Sequence, residues 1–292
     1  MGSQNVVMNR FQRSFRLLSQ SLAIIRRDRS LLWFPVLSAM FTLVAVAIVL
    51  VPAAVLLLPG ATADSAHTWP MLVVAGLAGY AATAVATYFN VALVSCAARS
   101  FHGEDTSAAE GMRAANARLG SILLWALIAS LVGLLIRSVE QRAGIVGSIV
   151  ARLLGAGWAI ATYFVIPVLA FEQVDPADAV RRSVATVRRS WGESLIGNVG
   201  LGIATFLLAL PLVGVGLVGA AVVGASPAAG VGLLVVAAGL GVVLLVVSSA
   251  MGQIYKTAVY LYAETGEVAG YSSELLEGAF RDKRQGRRRF FG

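Results

Sequence analysis

Charge is what this chain has least of. Asp, Glu, Lys and Arg make up 13% of its 292 residues, against about 25% in a water-soluble domain. Six long apolar stretches contain no Asp, Glu or Lys and no mid-span Arg. Ionisable side chains inside a membrane mark proton and ion routes, so this lack argues against a pump driven through a carboxylate relay. Cysteine occurs once, at Cys96. That excludes an intramolecular disulfide and leaves no cysteine-rich metal framework. No Ser-His-Asp set, phosphate-cradling glycine loop or pair of catalytic carboxylates can be assembled from the rest. The chain is therefore expected to be no enzyme and to carry no cofactor.

What is present is apolar surface. The chain is 58% hydrophobic with a mean hydropathy of +0.80, and it holds 30 glycines, as expected where helices approach closely in lipid. A bilayer core needs about 20 apolar residues in a helix. The candidate spans are Leu31 to Leu58, Met71 to Ala98, Gly120 to Ile136, Leu153 to Phe171, Leu195 to Val223 and Val231 to Tyr255. Each run is continuous rather than alternating in polarity, which selects helices over a barrel. The first follows a basic segment and ends near Ala61-Thr62-Ala63, which resembles a signal cleavage site. A signal core has about 7–15 residues, whereas this run is far longer, and it is expected to stay as the first helix.

The basic residues are distributed unevenly about these spans. Arg10, Arg13, Arg16, Arg26, Arg27 and Arg29 precede the first. Arg99, Arg113 and Arg118 follow the second, and Arg181, Arg182, Arg188 and Arg189 follow the fourth. Lys256, Arg281, Lys283, Arg284, Arg287, Arg288 and Arg289 follow the sixth. The opposite side holds only Arg137, Arg142 and Arg152 of the 23 basic residues. The excess of Lys and Arg on the cytoplasmic side of membrane proteins then places both termini in the cytoplasm.

Amphipathic segments flank the spans. Phe11, Phe15, Leu18, Leu22 and Ile25 recur at helical spacing and predict a helix lying on the membrane surface. A second helix is predicted after Asp175-Pro176, with Asp175 as cap, Pro176 at the first helical position, and Ala177, Val180, Val184, Val187 and Trp191 as its apolar face. A third should open on Ser107-x-x-Glu110, a capping-box spacing, and run into the third span. The outward segment from Arg137 to Arg152 is read as a partly embedded helix.

Few side chains offer a site. Asn90 and Asn198 are the most polar residues within the spans. They read either as solute ligands or as interhelical hydrogen-bonding groups, the second worth on average about 0.6 kcal/mol in lipid. Ala75, Gly79, Thr83 and Thr87 in the second span, and Gly214, Gly216, Gly219 and Gly224 in the fifth, have the spacing that lets backbones approach. Packing within one chain explains them, and homo-oligomerisation is the sharper alternative. Pro52 and Pro211 should interrupt the helical ladder, as in the broken helices of transporters. Cys96, His102, Glu104 and Asp105 include metal-ligating types at a spacing that matches no ligand pattern, so no metal site is expected. In the tail, Arg281, Lys283, Arg284, Arg287, Arg288 and Arg289 should contact anionic lipid at the inner leaflet, each worth about 1 kcal/mol near the surface. Tethering to the membrane disfavours nucleic acid as the partner.

Two stretches carry a family resemblance. One is Tyr163-Phe-Val-Ile-Pro-Val-Leu-Ala-Phe-Glu172, followed by a helix from Ala179 to Trp191 that opens with Arg-Arg-Ser. The other runs Ile254-Tyr-Lys-Thr-Ala-Val-Tyr-Leu-Tyr-Ala-Glu-Thr-Gly266 and leads to Glu274-Leu-Leu-Glu-Gly-Ala-Phe280. With Asp28-Arg-Ser-Leu-Leu-Trp-Phe-Pro35, they resemble the domain-of-unknown-function family 6159. The resemblance implies a six-helix bacterial or archaeal membrane protein and supplies no catalytic residues. The Pro-Val-x-x-x-Glu pattern is also similar, more loosely, to membrane domains associated with glycerophosphodiester phosphodiesterases.

The sequence thus predicts an all-α polytopic membrane helix bundle with six transmembrane helices and amphipathic cytoplasmic helices. Residues 1–30 form the N-terminal amphipathic helix, 31–263 the membrane domain and 264–292 the basic tail. The expected location is the inner membrane of a prokaryote. Two functions follow: a non-catalytic protein that organises lipid or a partner through its basic cytoplasmic surface, or a transporter or channel for a small or lipophilic solute.

Overall fold

Backbone groups in a bilayer must be satisfied within the chain, and helices do this locally. The computed structural model describes Ile25 and residues 28–57, 68–142 and 144–265, without the side chains of 29, 56, 57, 68, 141, 142, 144–146 and 190–200. Within these limits the chain is all-α. A 3-10 turn, Arg29–Leu32, leads into α1 (Trp33–Leu57). There follow α2 (Thr68–Phe101), α3 (Ala108–Asn116), α4 (Leu119–Arg142), α5 (Gly144–Ala161), α6 (Val165–Phe171), α7 (Pro176–Val222) and α8 (Pro227–Thr265). The predicted surface helix before residue 28 falls, apart from Ile25, outside the described residues, and so does the tail beyond Thr265.

Six segments are long and apolar enough to cross a membrane: Ser30–Val55, Trp69–Phe101, Leu119–Glu140, Gly147–Phe171, Leu201–Val222 and Pro227–Thr265. Their middles expose large apolar side chains, with Leu43 72%, Ile48 68%, Leu217 68% and Leu245 65% accessible. Such a continuous apolar surface needs lipid around it, since soluble monomers rarely expose patches beyond a few hundred Å².

The chain divides into two compact units, one of residues 33–97 and 106–189, the other of residues 1–32, 98–105 and 190–292. In the first unit, burial gathers at particular helix ends. Phe34 near the start of α1, Val91 to Val94 late in α2, Ile122 early in α4, and Val165, Val168 and Leu169 of α6 are all but inaccessible. Further along, α4 and α5 form an antiparallel pair in which Trp125 and Trp158 stack with ring centroids 5.9 Å apart. In the second unit the 3-10 turn packs against α8, whose Ile254, Tyr255, Ala258 and Val259 are buried.

Several expected boundaries move. The capping box at Ser107 forms, with its hydroxyl 3.3 Å from the Glu110 N–H and the Glu110 carboxylate 3.1 Å from the Ser107 N–H. The helix it starts ends at Asn116, and a turn at Ala117–Arg118 separates it from the third span. The segment from Arg137 to Arg152 is not one embedded helix. It comprises the end of α4 and the start of α5. Pro176 does open a helix, but that helix runs unbroken into the fifth span. Over residues 176–189 its buried positions are Pro176, Ala179, Ser183, Thr186 and Val187, whereas Ala177 is exposed. The apolar stripe read from the sequence is therefore rotated toward smaller residues, which allow closer packing.

Candidate functional site

The helices run through Pro52 and Pro211 without ending. The break falls in the fourth span, where a turn over residues 162–164 separates α5 from α6. Pro167 explains it. Proline lacks the N–H that would bond to the carbonyl of Tyr163, and its ring would crowd that carbonyl in a continuing helix. In the first turn of a new helix both problems vanish. The N–H of Phe164 instead donates to Ser183 Oγ on α7, at 3.0 Å between fully buried groups. One residue earlier, Arg182 pairs with Glu172 just past the end of α6. Glu172 and the Arg-Arg-Ser start of the next helix, singled out for their resemblance, thus tie α6 to α7.

A second close contact joins α2 and α3. A Cβ built on Gly111 would lie 2.6 Å from Phe34 Cζ, 2.8 Å from Cys96 Sγ and 2.9 Å from the Ala92 carbonyl oxygen. Only glycine fits there without displacement. Nearby, the Tyr88 hydroxyl donates to Asn116 Oδ1 at 2.9 Å. Cys96 is buried in this contact, with Sγ 3.6 Å from the Ser107 carbonyl oxygen. His102 and Glu104 are exposed, and Glu104 pairs with Arg99 at 2.7 Å. Among the described residues no three His, Cys, Asp or Glu side chains gather as a metal would require.

Of the small-residue stripes, Gly79, Gly214 and Gly224 have open space beside them. Gly219 is the member at a tight crossing, where an added Cβ would come within 3.1 Å of the Gly230 carbonyl oxygen and the Leu234 nitrogen. This crossing lies within the chain, between α7 and α8.

The same two helices also line a recess with a partly polar wall. Leu201 lies against Gly252, with 3.5 Å between its Cδ2 and the position a glycine Cβ would take. One turn further in, Thr205 Oγ1 donates to Ser248 Oγ at 2.9 Å. These pairs lie along an open cleft of about 590 Å³ whose lining runs from Phe206, Ala209 and Leu245 to Ser249, Gln253 and Lys256. Gln253 Oε1 is buried and has no hydrogen-bond partner among the described residues.

The predicted intramembrane residues fare differently. Asn90 is half-buried on α2. Asn198 sits on α7 one turn before Leu201, and the antiparallel register puts that position level with Tyr255; its side chain lies outside the description. The six tail residues, Arg281, Lys283, Arg284, Arg287, Arg288 and Arg289, also lie outside it. Sequence reasoning gave Ser183 no role beyond the resemblance, and missed Gln253 and Gly111. Pro167 was the available signal for the first, because a proline four residues after Tyr163 forces a helix restart that needs a new acceptor.

An all-α chain with six such helices is a polytopic integral membrane protein. The family model covers most of it: the chain belongs to the Family of unknown function (DUF6159), matched over residues 71–270. That match takes in Gly111, the α6–α7 junction and the α7–α8 cleft, while Asp28 to Pro35 lies before it. No curated protein and no solved structure matches the chain.

Proposed function

We propose that this protein is a non-catalytic membrane protein that organises anionic lipid at the cytoplasmic face of a prokaryotic inner membrane, with both termini inside. The observation that carries this is the exposure of Arg113, Arg181, Arg188 and Arg189 on two segments whose opposite faces are buried. Gly111 and Ala115 fix α3; Ala179, Ser183 and Val187 fix the start of α7. Arginines on firmly seated helices keep their charges at a set height. That matters because attraction to the leaflet is screened beyond about 8 Å at physiological salt. For Arg181 the internal cost is small, since its ion pair to Asp178 at 3.2 Å is exposed and such pairs contribute about 0–1 kcal/mol. The polar cleft between α7 and α8 is the feature that favours the second reading, a transporter or channel for a small or lipophilic solute.

Replacing Arg113, Arg181, Arg188 and Arg189 by glutamine should leave the helices intact and reduce co-purified anionic lipid. At about 1 kcal/mol per charge near the surface, a several-fold loss is expected at low salt and a smaller one at high salt. The same substitution of the six tail residues should add to the loss. Lipid retention that is unchanged across a salt series in both variants would reduce these residues to topology anchors.

A further inference from the structure

The geometry points to a defined binding site in the α7–α8 cleft for one anionic glycerophospholipid of the inner leaflet, of the class whose headgroup carries hydroxyls beside the phosphate. It extends the lipid reading above but uses none of the exposed arginines, so the two can fail separately.

Depth in the bilayer places the cleft first. The sixth apolar run opens at Val231, and about 20 helical residues cross the hydrocarbon core, which puts its inner edge near Met251. Ser249 and Gln253 flank that edge. Lys256 lies about 37 Å along the helix from Val231 at 1.5 Å per residue, within the headgroup layer of a bilayer about 40–45 Å thick overall. The cleft's lining changes at the same depth. Phe206, Ala209 and Leu245 give an apolar wall, and Ser249, Gln253 and Lys256 give a polar end. A polar solute would leave the apolar wall unused, an alkane would leave the polar end unused, and a sterol-like ligand, with one neutral hydroxyl, would bring no charge to meet Lys256. An acyl chain continuing into a phosphate uses both.

The polar end also has a specific unmet demand. Gln253 Oε1 is a buried acceptor with no partner among the described residues, and an unmet buried polar group costs about 1–3 kcal/mol. Phosphate oxygens accept hydrogen bonds and cannot satisfy it. A headgroup hydroxyl can, once the amide turns toward the cleft. The amide N–H and the Ser249 hydroxyl are then left to donate to phosphate, with the Lys256 ammonium as its counter-charge. Thr205 and Ser248 bond to each other and hold the two helices at the spacing the cleft needs. Phosphatidylglycerol is the simplest lipid with this headgroup chemistry.

The test uses the full chain in detergent, titrated with palmitoyl-oleoyl phosphatidylglycerol or the matching phosphatidylcholine and read by native mass spectrometry. One phosphatidylglycerol per chain should be retained at least tenfold more tightly than phosphatidylcholine. Lys256→Gln and Gln253→Leu should each reduce that preference about tenfold, and Lys256→Arg should retain most of it. The four-arginine glutamine variant should keep the single tight lipid while losing the salt-dependent remainder. A second measurement needs no variant: phosphatidylglycerol with a photoactivatable acyl chain should label peptides around Phe206, Ala209 and Leu245. Equal retention of the two lipids, full retention by a folded Lys256→Gln protein, or labelling spread evenly over the spans would overturn the assignment. So would competition by soluble glycerol phosphate as effective as that by the lipid, which would make the ligand a free phosphate ester.

Discussion

Replacing Gly111 by alanine is expected to destabilise this protein by about 1–3 kcal/mol, the usual cost of forcing an extra methyl into a packed core. The added carbon would meet the Ala92 carbonyl oxygen at 2.9 Å and Cys96 Sγ at 2.8 Å. A backbone oxygen within a helix cannot swing aside, so α3 must shift off α2. That shift would strain the Tyr88–Asn116 hydrogen bond of 2.9 Å and loosen Phe34. Gly79→Ala is the matched control. It also lies in a helix, with nothing within 4 Å of its Cβ position, and should be neutral or gain up to about 1 kcal/mol from helix propensity. Thermal unfolding of the two purified variants in one detergent reads the difference. A Gly111→Ala protein as stable as Gly79→Ala would mean the α2–α3 contact is looser than described.

Ser183→Ala should be comparably costly, at about 1–3 kcal/mol, because it removes the acceptor that receives the Phe164 N–H where the fourth span is broken. The site is fully buried, so water has no easy route to replace the hydroxyl. Threonine at this position restores the oxygen but adds a methyl to a packed site, so it should recover only part of the stability. Ser138→Ala supplies the contrast, since that hydroxyl only bonds back to the Leu134 carbonyl at 2.8 Å within its own helix and should matter little. Equal melting temperatures for Ser183→Ala and Ser138→Ala would remove the α6–α7 tie from the account.

The contrast between these sites shows what a sequence reveals in a membrane protein. The six spans were legible because the demand for continuous apolar helix is severe, and their observed bounds differ from the apolar runs by a few residues in most cases. The capping box at Ser107 was legible because it is a local bond over three residues. The interior was not. In lipid, apolar side chains are welcome inside and outside alike, so hydropathy says nothing about which face of α7 packs. The face that packs holds Ala179, Ser183 and Thr186, chosen by size and hydrogen bonding, and the valine-rich stripe at Val180 and Val184 is only half-buried. Glycine spacing was only partly informative for the same reason: Gly219 of the predicted stripes sits at a tight crossing, Gly79 and Gly214 have open space beside them, and Gly111, in no such pattern, is tightly enclosed. Pro52 and Pro211 drew attention as breakers, yet Pro167 marks the break. The candidate cleft depends on which residues of α7 and α8 face each other, a register set by Gly219 and the Thr205–Ser248 bond over long sequence separations.

As proposed, the protein crosses the membrane six times and presents its arginine-rich connections to the cytoplasm. A compartment-sensitive reporter placed after Gly292 and, separately, beside His67 tests this topology most directly in the intact chain. The account predicts cytoplasmic signal from the Gly292 fusion and exterior signal from the His67 insertion. An exterior signal at Gly292 would contradict it, since an even number of spans and the excess of basic residues would then no longer point to the same side.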